Sequence, residues 1–201
     1  MNILETNGFV VIKQFLDPSL AESLSLQFLD QRDKRHAENN VSLSDTTKFS
    51  DTRVPTAYVG SALPMFEKLL LDMTSVMEGI TEKSLYPTYS YARIYYKNSE
   101  LSKHLDRPSC EYSVSVCLSN DSVDWSLCII DKNGVEHQVI QNLGDAIIYK
   151  GCELVHWRDV FRGDSHSQVF LHYVDQNGLY AEWKYDKRQF LNINSSKMID
   201  I

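Results

Sequence analysis

The sequence contains no apolar stretch that approaches the about 20 residues needed to span a membrane. Its start, MNILETNGF, also lacks the basic residues and long apolar run of a secretory signal. The four cysteines form no CxxC pair and no zinc-ligand spacing, and Cys117 and Cys128 lie in apolar runs where buried thiols are common. These absences predict a cytoplasmic protein with reduced cysteines and no membrane partner.

Basic residues are also scarce in this chain. Its 20 lysines and arginines are outnumbered by 27 aspartates and glutamates, which gives a net charge of −7. Because the chain is acidic and has no basic stripe, nucleic acid is disfavoured as a partner. The sequence has no GxSxG, P-loop or GxGxxG pattern, so serine hydrolases, P-loop NTPases and Rossmann enzymes have little support. A small molecule or a protein or peptide substrate remains, and nothing indicates an oligomeric state.

The chain does contain enough apolar and aromatic residues for one folded domain. A hydrophobic content of 43% and 11 tyrosines in 201 residues suit a protein rich in strands. We predict a single domain over residues 1–201. It comprises helical N-terminal support at 1–86, a jelly-roll core at about 87–175 and a C-terminal extension at 176–201.

The N-terminal part has the pattern of a strand followed by two helices. Residues 8–12 are apolar and predict a strand, and Asp17-Pro18 predicts a helix start with an aspartate cap. Residues 32–62 are polar with few periodic apolar positions, which predicts a long loop. A second helix is predicted at about 63–83, where apolar residues recur on one face: Met65, Leu69, Met73, Val76 and Met77.

From residue 86 the pattern changes to short strands that are separated by turn residues. The predicted strands are 88–97, 111–119, 125–130, 135–141, 145–150 and 167–174. Helices first and strands second, without alternation, argue against a parallel α/β sheet. The order favours a mainly β protein, an antiparallel jelly roll with helices packed on one face.

The most informative motif is His104-Leu105-Asp106, which is followed 52 residues later by His156. Two imidazoles and one carboxylate can occupy one face of an Fe(II) ion and leave the other face open. Alternate residues of a strand point the same way, so His104 and Asp106 can reach one metal. With six histidines and 27 acidic residues, chance alone gives about one His-x-Asp/Glu match. A second copy, His36-Ala37-Glu38, lies in a polar run and is interpreted as solvated surface.

Residues 88–175 resemble the Fe(II)/2-oxoglutarate-dependent dioxygenases, whose core is a double-stranded β-helix carrying an HxD…H triad. The start NGFVVIKQFLDPSLAESL is similar to the opening of the prolyl-hydroxylase-like and phytanoyl-type branches, and Gly144-Asp145 resembles the turn before the distal histidine. The resemblance implies Fe(II) and 2-oxoglutarate as cofactors. It implies His104, Asp106 and His156 as metal ligands and catalytic residues. The implied reaction is hydroxylation of a C–H bond in a protein side chain, such as a prolyl ring, or in a small molecule.

The resemblance also suggests residues that contact 2-oxoglutarate. Arg93 and Tyr95 match the spacing seen in the alkylation-repair dioxygenases, where a polar residue and a tyrosine precede the HxD motif. An arginine can bind a carboxylate through two parallel hydrogen bonds, and a tyrosine can donate one. The two residues share a strand face with Tyr91. For Arg93, a structural ion pair is the alternative.

One position departs from the family pattern. The family usually has an arginine or lysine on the strand after the distal histidine, where it binds the far carboxylate of 2-oxoglutarate. Here that position is occupied by His166, Ser167 or Gln168, none of which is a permanent cation. Either the anchor has moved, to Arg93 or Arg162, or the cosubstrate is different. The complete core pattern favours a moved anchor, so Gln168 and Arg162 join the candidate cosubstrate-binding residues.

Three further residues near the motif are candidate substrate contacts, each with a simpler explanation. Arg107 either holds a substrate or orders its loop. Trp157 suits packing as well as substrate contact, and Arg158 suits an ion pair with Asp159 or Asp164. Loop 32–62 is a candidate lid. The competing hypothesis is a non-catalytic jelly-roll module that binds a metal or ligand.

Overall fold

The computed structural model describes residues 2–121 and 123–193. Its helices are α1 (Ile3–Asn7), α2 (Pro18–Glu38), α3 (Pro64–Asp72) and α4 (Thr74–Thr81), with 3-10 turns at Pro108–Cys110 and Ala181–Lys187. The first five strands are β1 (Phe9–Ile12), β2 (Tyr58–Ser61), β3 (Leu85–Tyr96), β4 (Leu101–His104) and β5 (Tyr112–Ser119). The other strands are β6 (Leu127–Ile130), β7 (Glu136–Val139), β8 (Ala146–Tyr149), β9 (His156–Arg158) and β10 (Ser165–Asp175).

These strands form two antiparallel sheets. The larger sheet has six strands in the order β1-β8-β5-β10-β3-β2, and the smaller has four in the order β4-β9-β6-β7. The outer face of the larger sheet carries the helices, and Leu24 and Phe28 of α2 share one buried cluster with Val114 and Val116 of β5. The prediction of a mainly β jelly roll with packed helices is confirmed.

The N-terminal part is more than helical support for this core. Strand β1 pairs with β8 and strand β2 pairs with β3, so both belong to the larger sheet. Helix α2 begins as predicted, because the Asp17 side chain accepts a hydrogen bond from the Ser19 amide and Pro18 is at the first position. In the C-terminal extension, Arg188 forms an ion pair of 2.9 Å with the fully buried Glu67.

The prediction of one loop over residues 32–62 is wrong at both ends. Helix α2 continues to Glu38, and β2 occupies Tyr58–Ser61, so the loop is limited to residues 39–57. The interpretation of His36 as solvated surface is also wrong, since it is only 3% exposed. Its ring packs 4.9 Å from Phe49 and 5.7 Å from Tyr58. This contact with the following loop stabilises a helix end that looks purely polar in sequence.

The helix predicted at 63–83 is two helices that meet at Met73. The Thr74 hydroxyl donates to the Leu70 carbonyl at 3.1 Å, a local hydrogen bond of the kind that bends helices. Within α4, Val76 is 44% exposed, whereas Met77 is fully buried, so Val76 does not belong to the predicted buried face.

Among the described residues, no helix is both long enough and apolar enough to cross a bilayer. Cys117 and Cys128 are buried free thiols, as their apolar surroundings predicted.

Candidate metal centre

The three residues of the predicted triad lie together at one end of the barrel. His104 is the last residue of β4, Asp106 follows two residues later, and His156 is the first residue of β9. Strands β4 and β9 are antiparallel neighbours, and His104 and His156 are directly paired. Both strands are too short to give a clear sequence pattern, so neither was predicted as a strand.

The distances suit a single ion. The Nε2 atoms of His104 and His156 lie 3.5 and 3.6 Å from Oδ1 of Asp106. One ligand atom from each side chain falls within 4.8 Å of the others. In a metal site with bonds of about 2.0–2.2 Å, neighbouring ligand atoms lie only slightly closer together than these 3.5 and 3.6 Å separations.

Backbone hydrogen bonds orient both imidazoles toward this point. Nδ1 of His104 lies 2.8 Å from the Ser102 carbonyl, and Nδ1 of His156 lies 2.9 Å from the Leu154 carbonyl. Since a carbonyl only accepts, each Nδ1 carries the proton and each Nε2 keeps its lone pair for a metal. Burial lowers the pKa of His156 and favours the neutral ring that metal binding needs.

The carboxylate of Asp106 is held from its other side. Ser113 donates a 3.1 Å hydrogen bond to Oδ2, and the Asp106 amide donates to the Gly151 carbonyl at 2.9 Å. Burial favours the neutral acid, but the neighbouring imidazoles of His104, His156 and His172 outweigh it and lower the pKa of Asp106 to about 2. Asp106 is therefore ionised at neutral pH with Oδ1 facing the imidazoles.

Gly151 leaves room for this arrangement, and we expect its replacement by alanine to weaken metal binding by about 10- to 100-fold. A Cβ atom there would lie 2.5 Å from Asp106 Oδ2, 2.5 Å from the Cys110 carbonyl oxygen and 2.8 Å from Ser113 Oγ. Anaerobic Fe(II) or Co(II) titration measures the change. Gly79→Ala is the matched control, because nothing lies within 4 Å of its added Cβ. Equal metal affinity in Gly151→Ala and Gly79→Ala would contradict the prediction.

A cavity of about 340 Å³ opens beside the triad. Apolar and aromatic side chains from several strands form part of its wall, namely Leu101, Leu127, Tyr149 and Phe170. Polar and aromatic groups form much of the rest, including Asp51, Arg53, Tyr89, Tyr91, Arg93, Arg107 and His172. The Tyr149 ring lies 4.7 Å from the His156 ring, so the apolar wall reaches the candidate ligand.

The predicted cosubstrate residues are placed very differently from one another. Arg93 lies in the cavity wall, and it also forms the ion pair considered as the alternative, with Nη2 2.6 Å from Asp51 Oδ2. Tyr95 is fully buried behind Arg93 and does not line the cavity. Arg162 is exposed and Gln168 is fully buried, and neither lines the cavity. Of the four, only Arg93 has the predicted position.

Arg158 has an unusual environment for a charged side chain. It is 1% exposed, and it donates to the Trp125 carbonyl and to Oε1 of Gln141, each at 3.0 Å. The ion pair considered with Asp159 or Asp164 is not formed, and no carboxylate of the described residues pairs with it. Its Nε, like Nδ1 of buried His166, has no hydrogen-bond partner among those residues. Burial lowers the pKa of Arg158.

Of the other two candidate substrate contacts, one is at the cavity. Arg107 lies in the wall, pairs with both carboxylate oxygens of Asp186 at 2.7 and 2.9 Å, and covers the Tyr89 ring. Trp157 is 7% exposed, lies off the cavity and packs beneath the Lys103 ammonium at 3.8 Å. The structure therefore favours packing for Trp157.

Sequence reasoning missed several residues of the wall. Tyr89 and His172 follow from the two-residue alternation of β3 and β10, since Tyr89 shares a face with Arg93, and His172 with Phe170. No local signal identified Asp51 or Arg53, which lie in loop 39–57 and reach the site only through folding.

Comparison with known proteins gives structural matches only. No protein-family model matches the sequence, and no curated protein matches it significantly. A prolyl-4-hydroxylase of Pseudomonas putida is similar, with a TM-score of 0.65, 16% identity and coverage of 86% of this chain and 95% of that one. HygX of Streptomyces hygroscopicus, solved with nickel and 2-oxoglutarate, has a TM-score of 0.65 and 16% identity, with coverage of 87% of this chain and 85% of that one. A prolyl hydroxylase of Trichoplax adhaerens, in complex with a hypoxia-inducible-factor peptide, has a TM-score of 0.67 and 14% identity, with coverage of 87% of this chain and 87% of that one.

These matches cover most of each chain, but at 14–16% identity they establish the fold alone. The protein therefore shares the two-sheet jelly-roll fold of these prolyl hydroxylases and of HygX.

Proposed function

We propose that this protein is a mononuclear Fe(II) oxygenase that uses 2-oxoglutarate to hydroxylate a C–H bond of a protein side chain or a small molecule. The observation that carries the proposal is the triad, in which two oriented imidazole Nε2 atoms face one ionised carboxylate beside a cavity. The same fold holds 2-oxoglutarate with nickel in HygX, and a peptide in the Trichoplax prolyl hydroxylase.

The residues of this chain fit such a metal. His104, Asp106 and His156 would hold the ion from one side and leave its cavity side open. Bound Fe(II) and 2-oxoglutarate supply the oxidising chemistry that converts C–H to C–OH with O₂. Ser113 keeps Oδ1 of Asp106 directed at the imidazoles, and Leu101, Leu127 and Phe170 limit water on the inner wall.

For the far carboxylate of 2-oxoglutarate we propose Arg158, although this buried residue, like Tyr95 and Gln168, does not line the cavity. It follows His156 by two residues in β9, so both side chains leave the same side of the strand about 7 Å apart. A buried guanidinium without a carboxylate costs several kcal/mol, at the order-of-magnitude level, and a bound carboxylate removes this cost. Arg93, the anchor expected from sequence, already has its charge balanced by Asp51. Through this ion pair Arg93 ties loop 39–57 to β3.

The direct test of the function is O₂-dependent conversion of 2-oxoglutarate to succinate by Fe(II)-loaded protein, with Asp106→Ala as the inactive reference. The alternative, a non-catalytic binding module, is favoured by one observation: His166 and Gln168 stand where the resemblance places a cation. That alternative expects 2-oxoglutarate or metal binding without succinate formation under any substrate condition.

We expect loop 39–57 to become more protected from hydrogen exchange when the true substrate binds to the 2-oxoglutarate complex. Asp51 and Arg53 put this loop at the cavity mouth, and Phe49, Val54 and Tyr58 anchor it. Its remaining residues bury little, so closure over a substrate would order them and restrict water. Equal protection with and without substrate would remove the loop from the mechanism. The amides of β5 serve as the internal control, since they are already paired on both sides.

A further inference from the structure

Three arginines, Arg53, Arg93 and Arg107, line the cavity, although the chain has a net charge of −7. They are balanced in number by the lining carboxylates of Asp51 and Asp106 and by Asp186, which pairs with Arg107 from outside the lining. A divalent ion at the triad would therefore make the cavity positive. Such a site attracts anions.

Two of the three guanidinium groups are already compensated. Arg93 pairs with Asp51 at 2.6 Å, and Arg107 pairs with Asp186 at 2.7 Å. The Arg53 side chain makes no ion pair or hydrogen bond to any residue within 2–121 and 123–193. Arg53 is therefore the cation of the wall that is free to bind an external anion.

The backbone of Arg53 is fixed although its side chain is free. Oδ1 of Asp51 accepts hydrogen bonds from the Arg53 and Val54 amides, both at 2.8 Å. Oδ2 of the same carboxylate binds Arg93 and the Tyr91 hydroxyl, which ties the loop to β3. Val54 is fully buried, so the chain is anchored on both sides of Arg53. The fixed backbone limits the positions that the guanidinium can reach, so less conformational entropy is lost when it binds a ligand than from a mobile loop.

We propose that Arg53 recognises a carboxylate or phosphate group on the substrate, which makes an acidic molecule or an acidic peptide the substrate class. This inference rests on the proposed function. The planar guanidinium can bind two oxygens of such a group at once. The rings of Tyr89 and Tyr91 line the same cavity and can contact the apolar part of the substrate.

The test measures binding to the protein loaded with Co(II) and 2-oxoglutarate, so no turnover is needed. Ligands are small carboxylic acids, their primary amides, phosphate esters, and peptides with glutamate or glutamine at one position. Paramagnetic broadening of the ligand NMR signals by Co(II) reports binding near the metal. Each acid is compared with its amide, and each glutamate peptide with its glutamine counterpart. For the ligand that binds, we expect the charged member to bind at least about tenfold tighter than the neutral one, a difference of the size seen for hydrogen bonds to charged groups. Whether free acids or peptides show the preference identifies the source of the anion.

Arg53→Gln should reduce this preference to about twofold or less, and Arg53→Lys should keep part of it. Lys48→Gln is the matched control, because it removes one positive charge from the same loop outside this cavity. An unchanged preference in Arg53→Gln, or equal binding of acids and amides by the wild type, would overturn the inference and leave the proposed function standing. Loss of 2-oxoglutarate itself in Arg53→Gln would also overturn it, by assigning Arg53 to the cosubstrate. Failure of the wild type to bind metal and 2-oxoglutarate would overturn both proposals.

Discussion

Replacing Asp106 by alanine is expected to weaken Fe(II) binding by more than about 100-fold, since even partners outside the ligand set contribute up to that factor. The substitution removes the negative charge of the triad and leaves two imidazoles, whose Nε2 atoms lie 3.5 and 3.6 Å from the lost oxygen. Anaerobic titration with Fe(II) or Co(II), in competition with a chelator, gives the affinity.

Asp72→Ala is the control for this experiment. Asp72 is a half-exposed residue of α3 that, within residues 2–121 and 123–193, pairs only with Lys68, so its loss should leave metal affinity unchanged. Circular dichroism checks that Asp106→Ala is folded, and Asp106→Asn offers a second variant of nearly the same shape. A folded variant of either kind with wild-type affinity would mean that the metal binds elsewhere.

Arg158→Met is expected to raise the dissociation constant for 2-oxoglutarate by about 100-fold, the effect of truncating one partner of a buried charge pair. The variant should also bind 2-oxoglutarate and 2-oxopentanoate equally, because the second compound lacks only the far carboxylate. Without ligand, Arg158→Met should be as stable as the wild type or more so, since it removes a buried charge that has no carboxylate partner. Calorimetry of the Co(II) protein gives the dissociation constants for the two oxoacids, and thermal unfolding gives the stability.

Arg93→Met is the informative comparison for Arg158→Met. Because Asp51 balances the charge of Arg93, we expect Arg93→Met to loosen the loop and to change the discrimination between the two oxoacids only slightly. If Arg93→Met abolishes the discrimination and Arg158→Met preserves it, the anchor is Arg93, as the sequence alone suggested. Metal affinity should stay within a few-fold of the wild type in both variants, since neither side chain belongs to the triad.

The sequence by itself determined the fold class and predicted which residues meet in the candidate metal site. Runs and alternation of apolar residues located seven of the strands within a few residues, because they report which residues of a strand are buried. The His104-x-Asp106 spacing and the later His156 were sufficient to predict a shared site, which the pairing of β4 with β9 brings together. Turn residues and the Asp17-Pro18 cap were also predicted correctly, because these features depend on neighbouring residues in the sequence and not on distant contacts.

Only the tertiary structure decided what surrounds the triad. Asp51 and Arg93 are 42 residues apart, and Arg158 meets Trp125 from 33 residues away, so no local pattern reports either contact. Periodicity shows that a residue is buried but not which partner it meets, so the ion pairs considered for Arg158 as the alternative to substrate contact are not formed. His36 was misread for the same reason, since its burial depends on Phe49 and Tyr58 of the following segment. The candidate ligands were identified by their spacing along the chain, whereas the positions of the cations around them depend on ion pairs between distant segments.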